Sequence, residues 1–256
     1  KQPVLVVGGT GHVGAALCDF LLRRGHQVTA ASRNDQPVFK SHAIKRIRLD
    51  LTDTTDERPL PQLTTAIICP WVDAVTKTDP RWMEHLLWRI IAAGCRSVLY
   101  FSTMWVYGSK PQGLLTESTP VSPNNAYAIA HLRNETLLRE CAEHFNIDVS
   151  ILRMANLVGA DPFFQFRSKV AFAHELVTMA IEDRSIVLKS PPSTPRDLIS
   201  RTLLHHDLEP LLDRTAVDGR IDILNLGSGS TTTLMELAQE VADLVKRYAG
   251  VPVRVE

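Results

Sequence analysis

Val4-Leu5-Val6-Val7-Gly8-Gly9-Thr10-Gly11-His12-Val13-Gly14 decides how the rest of the chain is read. Its four leading apolar residues, three of them valine, form a short strand buried on both faces. Gly8, Gly11 and Gly14 follow at a G-x-x-G-x-x-G spacing in which each absent Cβ has a use. One allows a tight turn, one lets backbone approach a pyrophosphate, and one packs a helix closely on the strand. Val13, Leu17, Phe20 and Leu21 lie on one face of that helix, and Gly25 stops it. The free N–H groups and positive dipole end of the helix face the loop, so Thr10, His12 and Val13 share an anion site with the glycines. A glycine triplet alone also suits an empty turn. Strand, glycines, helix and second strand in this order indicate a bound dinucleotide.

Downstream, residues 26–33 (HQVTAASR) read as the second strand, and its end is where such a fold selects its cofactor. A carboxylate there bonds both hydroxyls of the adenine ribose, whereas a basic residue accepts a 2′-phosphate. Ser32 and Arg33 hold this end, with no carboxylate before Asp35. Arg33 pairs well with phosphate and Ser32 can donate to it, so NADP is expected ahead of NAD, although a solvated surface arginine is the plain alternative.

Further strands read at 47–53 (IRLDLTD), 66–70 and 97–101, with a helix at 80–94 and another from Tyr127. This alternation predicts an α/β fold: a Rossmann-type doubly wound parallel sheet with a small C-terminal substrate lobe. Residues 1–156 and about 198–226 are assigned to the dinucleotide-binding part, and about 157–197 with 227–256 to the lobe. The 256 residues, 45% of them hydrophobic, suffice for such a core. Equal numbers of basic and acidic side chains, 28 each, argue against nucleic acid or an anionic membrane as partner. No apolar run approaches a bilayer span and no charged-then-apolar leader opens the chain. Cys18, Cys69, Cys95 and Cys141 are too scattered for a C-x-x-C pair, so reduced thiols in a cytoplasmic protein are expected. His205-His206-Asp207 is not read as a metal site, because neighbours on a helix point apart.

The second decisive stretch is Phe101-Ser102-Thr103-Met104-Trp105-Val106-Tyr107-Gly108, followed by Tyr127 at the head of a helix. With these in view, the chain resembles the extended short-chain dehydrogenase/reductase family, also called the NAD-dependent epimerase/dehydratase family. GGTGHVG, LDLTD, FSTMWVYG, NAYAIAHLRNE, ILRMANLVG, PRDLIS and ILNLGSG occur in the family's order. The resemblance implies cofactor contacts at Asp50, Leu51 and Cys69 besides the glycine loop. It also implies that Thr103 bonds the reacting oxygen and that Tyr127 is the acid/base. Where the family has a lysine four residues after the tyrosine, which lowers the tyrosine's pKa and holds the nicotinamide ribose, this chain has His131. Imidazole is shorter and largely neutral at pH 7, so it supports a phenolate less. Near Asp79 and Trp82 the family's helix usually carries an asparagine that this chain lacks. Met104 and Trp105 stand where the family's dehydratases carry two carboxylates, which argues against that dehydration route. Trp71, Met104 and Trp105 are expected to line the substrate cleft, unless the aromatics are ordinary core or surface residues.

On the substrate side, the resemblance places Asn156 and Arg196 on a nucleotide diphosphate; bidentate bonding suits Arg196, with a surface pairing to Asp197 as the alternative. Thr233 and Glu236 form a capping box for a final helix at 234–248. In the family, the helices near Trp82 and Tyr127 often form a dimer contact, for which Trp82, Leu86 and Leu132 would suit, as they would suit a core. The sequence therefore yields an expected reductase or epimerase acting on a hydroxyl or ketone of a small polar substrate. A nucleotide sugar leads and a secondary-metabolite intermediate comes next. The alternative is a dinucleotide-binding protein that has lost redox chemistry and serves as a sensor, partner-binding module or non-redox isomerase.

Overall fold

The computed structural model describes residues 1–33, 43–70, 79–108, 113–159, 172–214, 216 and 219–256. Strand β1 (Pro3–Val7) leads into helix α1 (His12–Arg23), and β2 (Gln27–Ser32) returns beside β1 after Gly25 at φ +78°. Next come β3 (Lys45–Arg48), β4 (Thr65–Ile68), α2 (Trp82–Ala92) and β5 (Ser97–Thr103). A 3₁₀ turn (Met104–Tyr107), α3 (Ala126–Phe145) and β6 (Asp148–Met154) follow. The remaining elements are β7 (Asn156–Val158), α4 (Phe172–Glu182), β8 (Ser185–Ile186), β9 (Pro195–Ser200) and α5 (Arg201–Asp213). The chain closes with β10 (Ile221–Leu226), β11 (Thr231–Thr233), α6 (Leu234–Ala249) and β12 (Arg254–Val255).

Seven strands form one sheet in the order β10-β6-β5-β4-β1-β2-β3, with parallel pairing from β3 through to β6. Strand order reverses between β1 and β4, the position at which such sheets bind ligands beyond their carboxyl ends. Leu5, Val7, Ile68, Val98 and Tyr100 join a buried core with Met83, Leu86 and Ile90 of α2 and Leu138 and Ala142 of α3. Helix α1 packs on β1 and β2 through its buried Leu17, Cys18 and Leu21. The α/β Rossmann expectation is met.

The chain divides into two compact units: one holds Lys1–Met154 and His205–Asn225, the other Leu226–Glu256 and most residues between 155 and 204. In the second unit, β11-β9-β7 and β12-β8 form two small sheets. Helices α4 and α6 meet there through Leu176, Ala180, Ala238, Val241 and Ala242. The capping box at Thr233 and Glu236 is present and starts α6 where expected.

One local expectation changes. The third strand is Lys45–Arg48 rather than 47–53, because Asp50 and Asp53 each fold the chain into an Asx turn. Each aspartate accepts hydrogen bonds from the backbone and hydroxyl of the threonine two residues on, which takes that stretch out of the ladder. Residues 148–158 form two strands in different sheets. His205-His206-Asp207 lies within α5, and His205 stacks on Phe20 at 4.3 Å.

The reversal point tolerates no side chain at Gly8. Its φ is +77°, and a Cβ there would lie 2.2 Å from the Cys69 carbonyl oxygen. Gly8→Ala is therefore expected to cost roughly 2 kcal/mol or more, read as a lowered midpoint in urea unfolding.

Candidate functional site

The glycine loop closes on itself before α1 begins. The Gly8 and Gly9 amides donate to the Ala31 carbonyl at 2.9 and 3.1 Å, and the Gly11 amide donates to the Gly8 carbonyl at 2.8 Å. A Cβ on Gly14 would come 2.3 Å from that same Gly8 oxygen, so helix and turn pack backbone to backbone. Gly11 caps α1 without a side-chain hydrogen bond, and no acidic side chain stands in the first turn. Thr10, His12 and Val13 surround this positive helix end, the kind of place where a pyrophosphate binds. Cys69 follows β4 directly beneath the loop, with its amide bonded to the Val7 carbonyl. Side chains at Gly8 or Gly14 would collide with this packed backbone, and the open helix start that the packing presents fits the pyrophosphate of a dinucleotide.

At the adenosine end, Ser32 ends β2 opposite Arg48 of β3, and Arg33 is exposed. Arg48 is a second basic group here, one that the sequence pattern hides by placing the strand further along the chain. Asp50 is held by Thr52, and Leu51 packs on the core beside it.

The reacting end is built by β5 and α3. Asn125 starts α3 by accepting from the Ala128 amide at 2.9 Å, which sets Tyr127 in the first turn. Thr103 ends β5, and its hydroxyl oxygen accepts from the Trp105 amide at 3.3 Å. Burial raises the Tyr127 pKa, and the Thr103 hydroxyl opposes that rise. Met104 and Trp105 lie on the 3₁₀ turn, half-buried and exposed respectively. Trp71 falls outside the described residues.

His131 lies one helical turn after Tyr127, with its ring edge-on to the phenol at 4.5 Å between centroids. It is only 1% exposed, and burial pushes its pKa down to about 3, so the imidazole is neutral. Its Nδ1 lies 2.7 Å from the Tyr100 hydroxyl, and its Nε2 is closed to solvent with no partner among the described residues. An unpaired ring nitrogen on a buried residue fits a ligand oxygen such as a ribose hydroxyl.

A layer of polar side chains that the sequence reading missed supports Tyr127 and His131 from below. Asn134 donates to the Tyr100 hydroxyl at 3.1 Å. Ser102 donates to Glu135, which also takes Arg153 through its Nε and Nη2, the latter at 2.7 Å. Arg153 Nη1 donates in turn to the Tyr107 hydroxyl at 2.9 Å. Burial weakens the Arg153 charge, but the bonds to Glu135 and Tyr107 outweigh it and raise its pKa. Their signal was present: Tyr127, His131, Asn134 and Glu135 repeat at helical spacing on a face that must be buried, so each needs a partner on the sheet.

In the second unit, Asn156 Nδ2 donates to the Asp197 carbonyl at 3.1 Å, stitching β7 to β9. Arg196 lies over the Phe172 ring at 5.4 Å, and burial lowers its pKa. Its alternative pairing with Asp197 is not made; that carboxylate accepts from the amide and hydroxyl of Ser228. Trp82 and Leu86, each 1% exposed, take the core alternative to a dimer surface, while Leu132 is half-buried. All four cysteines are free, and burial is the main cause of the raised pKa of Cys18, Cys69, Cys95 and Cys141.

Comparison with known proteins agrees with this geometry. Residues 4–200 match the NAD dependent epimerase/dehydratase family. The chain is 23% identical over 271 residues to an uncharacterised UDP-glucose epimerase of Bacillus subtilis (strain 168), covering 96% of this chain and 83% of that one. Its fold is similar to the UDP-glucose 4-epimerase of Thermotoga maritima with UDP-glucose, at a TM-score of 0.79, 18% identity and coverage of 98% and 85%. The Thermus thermophilus UDP-glucose 4-epimerase complex with NAD gives a TM-score of 0.78, 20% identity and coverage of 99% and 85%.

A buried neutral histidine makes stability pH-dependent. The His131 pKa is about 3 when folded, against ~6.5 unfolded, so the unfolded chain binds more protons between those values. Stability then falls as pH drops below ~6.5, by about 1.4 kcal/mol per unit from this group. Urea unfolding at stepped pH should show a shallower acid loss in His131→Gln than in the wild type.

Proposed function

We propose that this chain, which belongs to the NAD dependent epimerase/dehydratase family, oxidises and re-reduces a hydroxyl-bearing carbon of a nucleotide-linked sugar, as an epimerase or reductase. It is an enzyme of an NAD(P)-dependent family, and the finer reading is supported by one observation: the pair Thr103 and Tyr127, whose hydroxyls influence each other, belongs to the same compact unit as the glycine turn. When bound, the nicotinamide supplies the hydride acceptor and donor. Thr103 accepts from the Trp105 amide through its oxygen and keeps one hydrogen to give, either to the phenol or to a reacting oxygen beside it. Tyr127, as phenolate, takes the hydroxyl proton and returns it on reduction. His131 gives a neutral hydrogen bond to the ribose and no cationic help to the phenolate. Arg196, without a carboxylate partner among the described residues, supports a diphosphate on the substrate, in keeping with the UDP-sugar named in the Thermotoga structure.

Ser32, Arg33 and Arg48 favour a 2′-phosphate, so NADP is the proposed cofactor, with NAD second in view of the NAD-bound relative. Equilibrium titration should find NADPH tighter than NADH; the reverse order would assign the site to NAD.

The neutral histidine favours one other reading, in which the cofactor is held but redox turnover is lost. Two variants separate the readings. Tyr127→Phe is expected to abolish turnover of UDP-glucose or another nucleotide sugar with NADP(H) binding intact; unchanged turnover removes Tyr127 from the mechanism. His131→Lys places a cation beside the phenol and is expected to move the alkaline limb of the rate profile down by about one pH unit or more. No turnover in the wild type or in His131→Lys, with cofactor still bound, leaves the binding-only reading.

A further inference from the structure

We infer that Tyr100, a residue inside the sheet that touches neither the glycine loop nor the reacting groups, is a positioning residue that fixes His131 as an Nε2–H donor. Tyr100 is fully buried on β5, and its hydroxyl meets two groups: the Asn134 amide at 3.1 Å and His131 Nδ1 at 2.7 Å. Asn134 donates, so it takes a lone pair of the phenol oxygen. The buried phenol hydrogen is paired only when His131 Nδ1 accepts it, and a buried hydroxyl left unpaired is costly. A neutral imidazole has one N–H, and it is left on Nε2.

The surroundings keep this assignment from drifting. The groups around the imidazole are neutral: Tyr127 edge-on from its own helix, Tyr100 from the sheet, Asn134 one turn on. Glu135, the charged carboxylate on the same helix, is taken by Ser102 and Arg153. Asn134 and Tyr100 are both sealed, at 1% and 0% exposure, so water does not compete for the phenol. The pattern is that of a histidine whose working nitrogen is set by what the other one bonds.

The consequence rests on the cofactor reading above. At the helix position where a long cation is replaced, the chain still offers one hydrogen, uncharged and held in a fixed direction. That suits an acceptor such as a ribose hydroxyl, and it excludes His131 as a base.

The test uses the whole chain labelled with ¹⁵N at histidine, read by long-range ¹H–¹⁵N spectra without cofactor. The wild type is expected to show the proton of His131 on Nε2, and Tyr100→Phe, which removes only the hydroxyl, is expected to give a mixture or the Nδ1–H form. A wild-type proton on Nδ1 overturns the inference whether or not the variant folds, as does an unchanged tautomer in Tyr100→Phe. NADP⁺ titration of the same samples separates the two readings. About tenfold weaker binding in the variant supports the ribose contact. A changed tautomer with unchanged affinity leaves Tyr100's role standing and removes His131 from the cofactor site.

Discussion

Backbone lies on backbone where β1 and β4 end. The Gly8 turn, the Cys69 carbonyl and the start of α1 at Gly14 occupy one another's side-chain space, and nothing larger than hydrogen fits between them. This contact sets where α1 begins and therefore where its positive end is presented. It also fixes the spacing between β1 and the neighbours of β4, so that Thr103, at the end of β5, emerges on the same edge of the sheet. The presented helix end and the place of the Thr103 hydroxyl are two results of one packing constraint.

Below that edge the structure buries polar groups where apolar ones would carry a smaller desolvation penalty. Tyr100, Ser102, His131, Asn134, Glu135 and Arg153 are all nearly inaccessible, and they join α3 to β5 and β6 through hydrogen bonds. A buried ion pair such as Glu135–Arg153 adds little net stability, yet removing one partner is severe because it strands a charge. What such bonds supply is direction. They hold α3 in one rotation about its axis, and with it the face that carries Tyr127 and His131.

The glycine loop, the strand alternation and the capping box at Thr233 were legible because each depends on neighbours in sequence, whereas Thr103 and Tyr127 were singled out by the family resemblance. Periodicity, glycine spacing and capping are local rules. The third strand was misjudged because Asp50 and Asp53 offered the backbone a competing partner that an apolar pattern does not weigh. The polar layer was missed for a different reason: its bonds run between β5, α3 and β6, and no local rule pairs residues so far apart. His131 shows both limits. Its place beside Tyr127 followed from helical spacing, whereas its neutrality is set by burial.

The four cysteines carry a consequence for how the chain meets an oxidising environment. Alkylating agents and peroxides react with thiolate, and burial holds Cys18, Cys69, Cys95 and Cys141 in the thiol form. Cys69 and Cys18 flank the glycine loop, where an adduct would do most damage, and Cys18 gives its S–H to the Gly9 carbonyl. Their chemical silence uncouples the loop from the thiol–disulfide balance around it. The sulfur atoms closest to the phosphate cradle serve as small packing groups, not as handles for redox control.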